Sequence, residues 1–257
     1  MVSHNSIWIN SIPRTGSMWT TNVVKEIFLK SNFNVYPEKN FKSDLKTIDF
    51  FVRNAIKDEN KKNRYVFKNH TKIKSEIPKS KIILNIRNPY EVCASYYQFM
   101  KCKLEEAIKI ASFSTQFLDF YSQKNNELLK IKFEDIESNS FEIIKKISDF
   151  CETTLDKEQI KSIDEKFKKN NVKKIILNND EKIKKKFLKN EKISEDEVVR
   201  VTNDNIRSFD QTTGFQTGHI SKKSNKDWTK VFSASDVNKI IEVLDPIVVK
   251  MGYKSQK

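Results

Sequence analysis

Apolar residues recur along the chain in two alternating arrangements, as short continuous runs and as longer stripes at helical spacing. The runs are rich in β-branched and aromatic residues and predict strands. The predicted strands are residues 7–10, 65–67, 82–86 and 128–133. The stripes predict helices over residues 19–28, 44–56, 141–150 and 155–167. This alternation predicts an α/β fold in which helices flank a central, mainly parallel β-sheet.

Turn and capping residues mark the ends of several elements. Asn88 and Pro89 predict a helix start, because asparagine caps helices well and proline suits the first turn. Ser233 has capping-box spacing before a closing helix, which Pro246 is expected to kink or end. We interpret the 257 residues as one domain, in which the polar stretch at about 178–210 forms a lid or surface insertion.

The net charge of +14 is unevenly distributed. Residues 166–192 hold eleven lysines against three acidic residues. The first interpretation of this stretch is a solvated face, and the second is a surface for a polyanion. Three cysteines without metal-ligand spacing predict no disulfide framework, no metal site and a reducing compartment, the cytoplasm. No apolar run is long enough to predict a membrane span.

The loop at residues 11–17 lies between a predicted strand and a predicted helix. The backbone N–H groups at a helix start are unpaired, and the helix dipole favours an anion there. Arg14 adds a cation, Thr15 and Ser17 add hydroxyl donors, and Gly16 permits close approach of a ligand. The loop therefore predicts a phosphate site, although the GxxxxGK[ST] pattern of an ATP-binding loop is absent. Trp19 either faces a purine or packs in the core.

A second anion site is predicted after the strand at 82–86. Arg87 ends that strand, and Ser95 follows about two turns into the next helix. An arginine at a strand end is suited to gripping a phosphate with two hydrogen bonds. Together with the loop at 11–17, this pair indicates a ligand that carries two separated phosphates.

The two segments, SIPRTGSMW and RNPYEVCASYY, resemble the cytosolic-type sulfotransferases that use PAPS (3′-phosphoadenosine 5′-phosphosulfate). The resemblance implies a P-loop-like fold and release of PAP (3′-phosphoadenosine 5′-phosphate), without a metal. It implies that Arg87 and Ser95 hold the 3′-phosphate and that Phe133 takes the place of a tyrosine at the adenine. The residues that it places on the 5′-phosphosulfate loop are Arg14, Thr15, Gly16, Ser17, Met18 and Trp19, the last stacking on adenine.

Lys68 and His70 follow the strand at 65–67 and match the Lys-x-His of this family, in which the histidine is the general base. A histidine of near-neutral pKa is suited to taking a proton from an attacking hydroxyl. Lys68 and Arg14 are then expected to neutralise charge on the transferring group. Because some relatives use a carboxylate base, Glu38 and Glu76 stay as alternatives.

Near the C-terminus the family pattern RKGxxGDWKxxF is only partly kept. The chain keeps Lys222, Asp227, Trp228 and Phe232 but has Ser221 in place of the arginine. The residues that we expect to reach the 3′-phosphate are Lys222 and Lys223, helped by His219.

The resemblance implies sulfuryl transfer to a hydroxyl or amine on a small-molecule, lipid or glycan acceptor. At the level of the family it also implies a homodimer. Three alternatives stay open: a P-loop-like small-molecule kinase, a basic nucleic-acid-binding protein, and an inactive relative that binds the nucleotide. The chain lacks the lysine that a kinase loop would carry directly after Gly16. The Lys-rich stretch lacks the interleaved aromatic residues with which proteins bind single-stranded nucleic acid, so no nucleic-acid partner is expected.

Overall fold

The computed structural model describes residues 5–73, 80–124, 127–202, 205–220 and 225–256. Five strands form the main sheet, and two more form a separate hairpin. The strands are β1 (Ser6–Asn10), β2 (Asn34–Tyr36), β3 (Asn63–Asn69), β4 (Ser80–Ile86), β5 (Leu128–Lys132), β6 (Val198–Thr202) and β7 (Asn205–Ser208). The α-helices are α1 (Ser17–Lys30), α2 (Asp44–Phe50), α3 (Pro89–Met100), α4 (Leu104–Ser122), α5 (Phe133–Phe150), α6 (Lys157–Phe167), α7 (Lys169–Leu188) and α8 (Ala234–Lys250).

The main sheet has the order β2-β3-β1-β4-β5, and all of its neighbouring pairs are parallel. Asn10 at the end of β1 lies opposite Asn69 on one side and Leu84 on the other. The carboxyl ends of β1, β3 and β4 therefore meet at one edge. Ligands of open α/β sheets bind at this edge, and all three predicted site segments leave the sheet there.

Apolar residues cover both faces of the sheet, as continuous apolar strands require. Along β1, Trp8 packs into a core shared with α3, α4 and α8, whereas Ile7 and Ile9 pack into a second core with α1, α5 and α6. Trp8 is 1% exposed and Ile9 is fully buried. Burial of both faces holds the strand ends, and hence the loops that follow them, in fixed positions.

The sequence predicted the α/β class and the central strands correctly. The predicted helix at 44–56 is α2 followed by a π-helical turn at Phe51–Ala55, and the start of α3 is capped by Asn88, whose Oδ1 accepts from the Tyr90 N–H at 3.0 Å. The prediction missed α4 and β2. The polar stretch at 178–210 holds the end of α7 and the β6–β7 hairpin. It stays a prediction that this stretch acts as a lid.

Pro246 does not end the closing helix, because α8 continues to Lys250. The expected N-cap is present, since the Ser233 hydroxyl accepts from the Asp236 N–H at 3.2 Å. Leu244 and Val248 on either side of the proline are fully buried against the core. Their burial compensates for the one helical hydrogen bond that proline removes.

Candidate active site

The first loop turns sharply between β1 and α1. Arg14 and Gly16 have positive φ angles of 73° and 88°, and the Thr15 hydroxyl donates to the Ile12 carbonyl at 3.0 Å. No side chain caps the start of α1. A Cβ atom on Gly16 would lie 2.9 Å from the Phe133 ring, so both the backbone angle and the packing require glycine. The first-turn N–H groups of α1 therefore stay available to an anion.

Arg14 connects the first loop to the second predicted anion site. Its Nε donates to Ser95 Oγ at 3.0 Å, and its Nη2 donates to the His219 carbonyl at 3.1 Å. Its guanidinium carbon lies 4.1 Å from the centre of the Phe99 ring. Burial, together with the positive charges of Arg87 and Arg207, lowers the pKa of Arg14 from 12.5 to about 9. Arg14 thus lies in a strongly electropositive environment.

Arg87 lies beside the same loop. Its Nη1 donates to the Arg14 carbonyl at 3.1 Å, and its Nη2 forms a 2.9 Å ion pair with Glu91. Both side chains are largely buried, with exposures of 7% and 12%. The guanidinium carbon also lies 4.0 Å from the centre of the Phe133 ring. The structure therefore places Arg87 in direct contact with the loop that carries Arg14.

His70 contacts the first loop directly. Its Nδ1 lies 2.9 Å from the Ser11 carbonyl, and its Nε2 lies 2.9 Å from Lys68 Nζ. A carbonyl only accepts, so Nδ1 carries the proton and Nε2 is the basic nitrogen. Burial is the main cause of a His70 pKa near 3, and the charges of Lys68 and Arg14 lower it further. The imidazole is therefore neutral at physiological pH.

The carboxylate that contacts this histidine is neither of the two alternatives raised from the sequence. Asp44, at the start of α2, accepts from the His70 backbone N–H at 3.0 Å. Burial lowers the pKa of Lys68, and the negative charge of Asp44 opposes that shift. Glu38 is exposed in the loop after β2, and Glu76 lies outside the described residues. Asp44 thus orients the His70 backbone and offsets the charge of Lys68.

The remaining predicted residues of the first segment lie on α1. Met18 faces the glycine at position 214, where an added Cβ would lie 2.3 Å from its Cε. Trp19 is partly buried and packs against the α1 side of the core. Ser17 is buried, and Phe133 begins α5 beneath Gly16. The structure brings together Arg14, Lys68, His70, Arg87 and Ser95. The position of Trp19 favours packing in the core over contact with a purine.

The C-terminal segment is described only in part. Lys222 and Lys223 lie outside the described residues. His219 is described, and its ring stacks on Phe99 with centroids 5.5 Å apart. Its carbonyl accepts from Arg14, so its backbone does reach the predicted site.

Sequence reasoning missed Phe99 and Arg207, which form one cluster with Arg14 and His219. The Phe99 ring contacts the His219 ring and two guanidinium groups, since the guanidinium carbon of Arg207 is also only 4.0 Å from its centre. The composition could have identified Arg207, because the chain has only six arginines against 42 lysines. Arginine makes planar and stacked contacts that lysine does not, so the few arginines of a Lys-rich chain are candidates for such roles.

Several polar atoms beside the first loop are buried and have no hydrogen-bond partner among the described residues. Neither side-chain polar atom of Asn10 is paired, nor are Ser11 Oγ and Asn85 Oδ1. Asn10 is fully buried at the end of β1, and Ser11 opens the loop. Buried polar groups usually have partners, so these atoms suit a polar ligand at the strand ends.

The Lys-rich stretch at residues 166–192 runs from the end of α6 along α7. Lys182 and Lys186 pair with Glu197 at 3.6 and 2.7 Å. An open groove of about 380 Å³ lies along α7. The described part of the chain contains no helix that is both long and apolar enough to cross a membrane.

A family model of the sulfotransferase domain matches residues 4–252, so the chain belongs to the sulfotransferase domain family. The amine sulfotransferase of Oryctolagus cuniculus is 24% identical over 186 residues, which are 63% of this chain and 61% of that protein. The match therefore spans less than two thirds of the length of this curated relative.

Two solved structures are similar to the whole chain. Retinol dehydratase in complex with androsterone and PAP has a TM-score of 0.60 at 12% identity, covering 95% of this chain and 80% of that chain. A mouse sulfotransferase complexed with PAP has a TM-score of 0.57 at 13% identity, covering 97% of this chain and 88% of that chain. The chain thus has the P-loop-like sulfotransferase fold.

Proposed function

We propose that the protein transfers the sulfuryl group of PAPS to an acceptor hydroxyl or amine and releases PAP. The observation that carries this proposal is the meeting of Arg14, Lys68, His70 and Arg87 at the carboxyl ends of three adjacent strands. Three cations and a neutral base at one site suit the transfer of an anionic group.

The first loop supplies donors for the 5′-phosphosulfate. The uncapped start of α1 offers backbone N–H groups, and Ser11 Oγ lies beside them with no partner in the described part of the chain. Lys68 and Arg14 add positive charge on the side that faces His70. The residues present therefore fit the 5′ end of the donor.

Arg87 and Ser95 are assigned to the 3′-phosphate. Glu91 holds two nitrogens of Arg87, which leaves Nη1 facing the first loop. Ser95 Oγ accepts from Arg14 Nε, so its own hydroxyl proton stays free to donate. An arginine fixed by a carboxylate and a serine hydroxyl together suit a dianionic phosphate.

His70 is the proposed general base. Its Nε2 takes the acceptor proton as the acceptor oxygen or nitrogen bonds to sulfur and the bond from sulfur to the PAP phosphate oxygen breaks. Burial is the main cause of the pKa near 3, and the charges of Lys68 and Arg14 lower it further. A bound anionic donor offsets these two charges and thereby raises the pKa of His70. Lys68 and Arg14 stabilise the charge that develops on the leaving phosphate.

We propose a small organic acceptor. One structural neighbour contains androsterone and a related structure contains retinol, and the curated relative is named for amines. A test supplies ³⁵S-labelled PAPS with a panel of phenols, alcohols and amines. Labelled product and PAP formed in equal amounts support the proposal, and release of free sulfate alone with every acceptor contradicts it. ATP labelled at its γ-phosphate serves as the control for kinase activity.

A further inference from the structure

Arg207 on β7 has a buried donor that nothing in the described residues satisfies. Its side chain belongs to a residue that is only 6% exposed, and its Nη1 has no hydrogen-bond partner in the described ranges. Its Nη2 donates to the Phe99 carbonyl, and its guanidinium carbon lies 4.0 Å from the centre of the Phe99 ring. A buried unpaired donor on a charged group is costly, so its retention indicates a ligand.

Phe99 links Arg207 to the proposed reaction site. It lies one helical turn after Ser95, and the guanidinium carbon of Arg14 lies 4.1 Å from its ring. The His219 ring stacks on it as well. Arg207 therefore belongs to the same cluster as Arg14, although it comes from a hairpin that is not part of the main sheet.

The positive charges of the proposed reaction site and of the residues around Phe99 are only partly balanced by carboxylates. Lys68 has Asp44 nearby, and Arg87 is paired with Glu91. Neither Arg14 nor Arg207 forms an ion pair with a carboxylate in the described ranges. Asp180 lies near β7, but its Oδ1 already accepts from the hydroxyls of Ser208 and Thr217. The unbalanced charge thus lies on the two arginines around Phe99.

We infer that Arg207, together with the Phe99 ring, binds an anionic group of the acceptor, either a carboxylate or a sulfate or phosphate ester. This inference rests on the proposed sulfuryl transfer. In the proposed function, the first loop and Lys68 bind the 5′ end of the donor, and Arg87 and Ser95 bind its 3′-phosphate. Arg207 lies on the β6–β7 hairpin, which carries none of the residues assigned to the donor, and it contacts Phe99 from there. For this reason we assign Arg207 to the acceptor.

The test uses the full chain saturated with PAP and measures binding by isothermal titration calorimetry. The probes are 4-hydroxybenzoate and its neutral methyl ester, which differ only in the anionic group. We expect wild type to bind the acid at least about tenfold more tightly, since hydrogen bonds to charged groups are the stronger ones. Arg207→Gln removes this preference and leaves the affinity for PAP unchanged, whereas Arg207→Lys keeps part of it.

Arg200→Gln is the matched control, because Arg200 is exposed on the neighbouring strand of the same hairpin. It is expected to leave the preference unchanged. Equal binding of acid and ester by wild type, or binding of neither, overturns the inference. So does a loss of PAP affinity in Arg207→Gln, which assigns Arg207 to the donor. If wild type does not bind PAP, the proposed function fails before any acceptor is added.

Discussion

Two regions of the molecule hold their cations in different ways. The strand-end region comprises residues 11–17, Lys68 to His70 and Arg87 to Ser95, and the hairpin region comprises residues 198–220. In the strand-end region, buried parallel strands fix the loops, and Asp44 and Glu91 accompany Lys68 and Arg87. In the hairpin region, Arg207 lies on a two-stranded unit outside the main sheet and has no paired carboxylate among the described residues.

This difference indicates that the strand-end region binds the donor and the hairpin region selects the acceptor. A site that binds the same nucleotide in every reaction gains from rigid strand ends with prearranged charges. A site that selects one acceptor is better placed on a peripheral element, whose change leaves the sheet intact. We therefore expect variants of the two regions to separate donor chemistry from acceptor choice.

The largest expected effect is that of His70→Ala. Removal of a general base costs about 10²–10⁴-fold in kcat, while PAP binding, which uses the loop and Arg87, stays unchanged. Single-turnover sulfuryl transfer and PAP titration measure the two quantities separately. His219→Gln is the histidine control, with a smaller loss expected because its ring contacts Phe99 rather than Lys68. Full activity of His70→Ala contradicts the assignment.

Arg14→Ala is expected to lower kcat by about 10²–10³-fold, the usual effect of removing a donor that stabilises transition-state charge. Arg14→Lys keeps a positive charge but cannot donate to both Ser95 and the His219 carbonyl. It is therefore expected to fall between wild type and Arg14→Ala in initial-rate assays. Equal rates for Arg14→Ala and wild type exclude a role in charge stabilisation.

Arg87→Ala is expected to weaken PAP binding at least about 30-fold, the lower end of the effect of breaking a buried charged contact. It also leaves Glu91 buried and unpaired, which lowers the free energy of unfolding by about 3 kcal/mol. The double variant Arg87→Ala/Glu91→Ala separates the two effects. It is expected to recover stability in urea denaturation without recovering PAP affinity, and recovery of both means that Arg87 has a structural role alone.

The smallest expected effect concerns pH. The folded pKa of His70 is about 3 and its unfolded pKa is near 6.5, so the unfolded chain binds more protons between these values. His70 therefore makes the protein less stable as pH falls from about 6.5 toward 3. Urea midpoints at pH 7 and pH 5 are expected to differ less in His70→Asn than in wild type. An identical difference in both proteins contradicts the depressed pKa.

The sequence predicted the strand-end region well because its signals are local. Continuous apolar runs identified β3 and β4, and Asn88 with Pro89 marked the start of α3. Parallel strands bring their carboxyl ends to one edge, so the adjacency of Arg14 and Arg87 followed from the fold class. The direct contact of Arg14 with Ser95 did not follow, because it depends on a side-chain direction across 81 residues.

The hairpin region was not predictable in the same way. Its strands have only five and four residues, and β7 has a single apolar residue, Ile206. Arg207 acquires its role only through packing on Phe99, which is 108 residues away in sequence. α4 was also missed, although seven of its residues are buried, because its apolar stripe is interrupted by serine and threonine. Such contacts depend on tertiary packing, which no local pattern encodes.

We propose that one site, formed by Arg14 and Arg87, holds both charged ends of an adenosine bisphosphate. Thermal unfolding of wild type with PAP or with AMP, which lacks the 3′-phosphate, tests it most directly. We expect a clearly larger rise in Tm with PAP than with AMP at equal concentration, and we expect Arg87→Ala to reduce the rise with PAP to the AMP level. Equal shifts for the two nucleotides in wild type would contradict it.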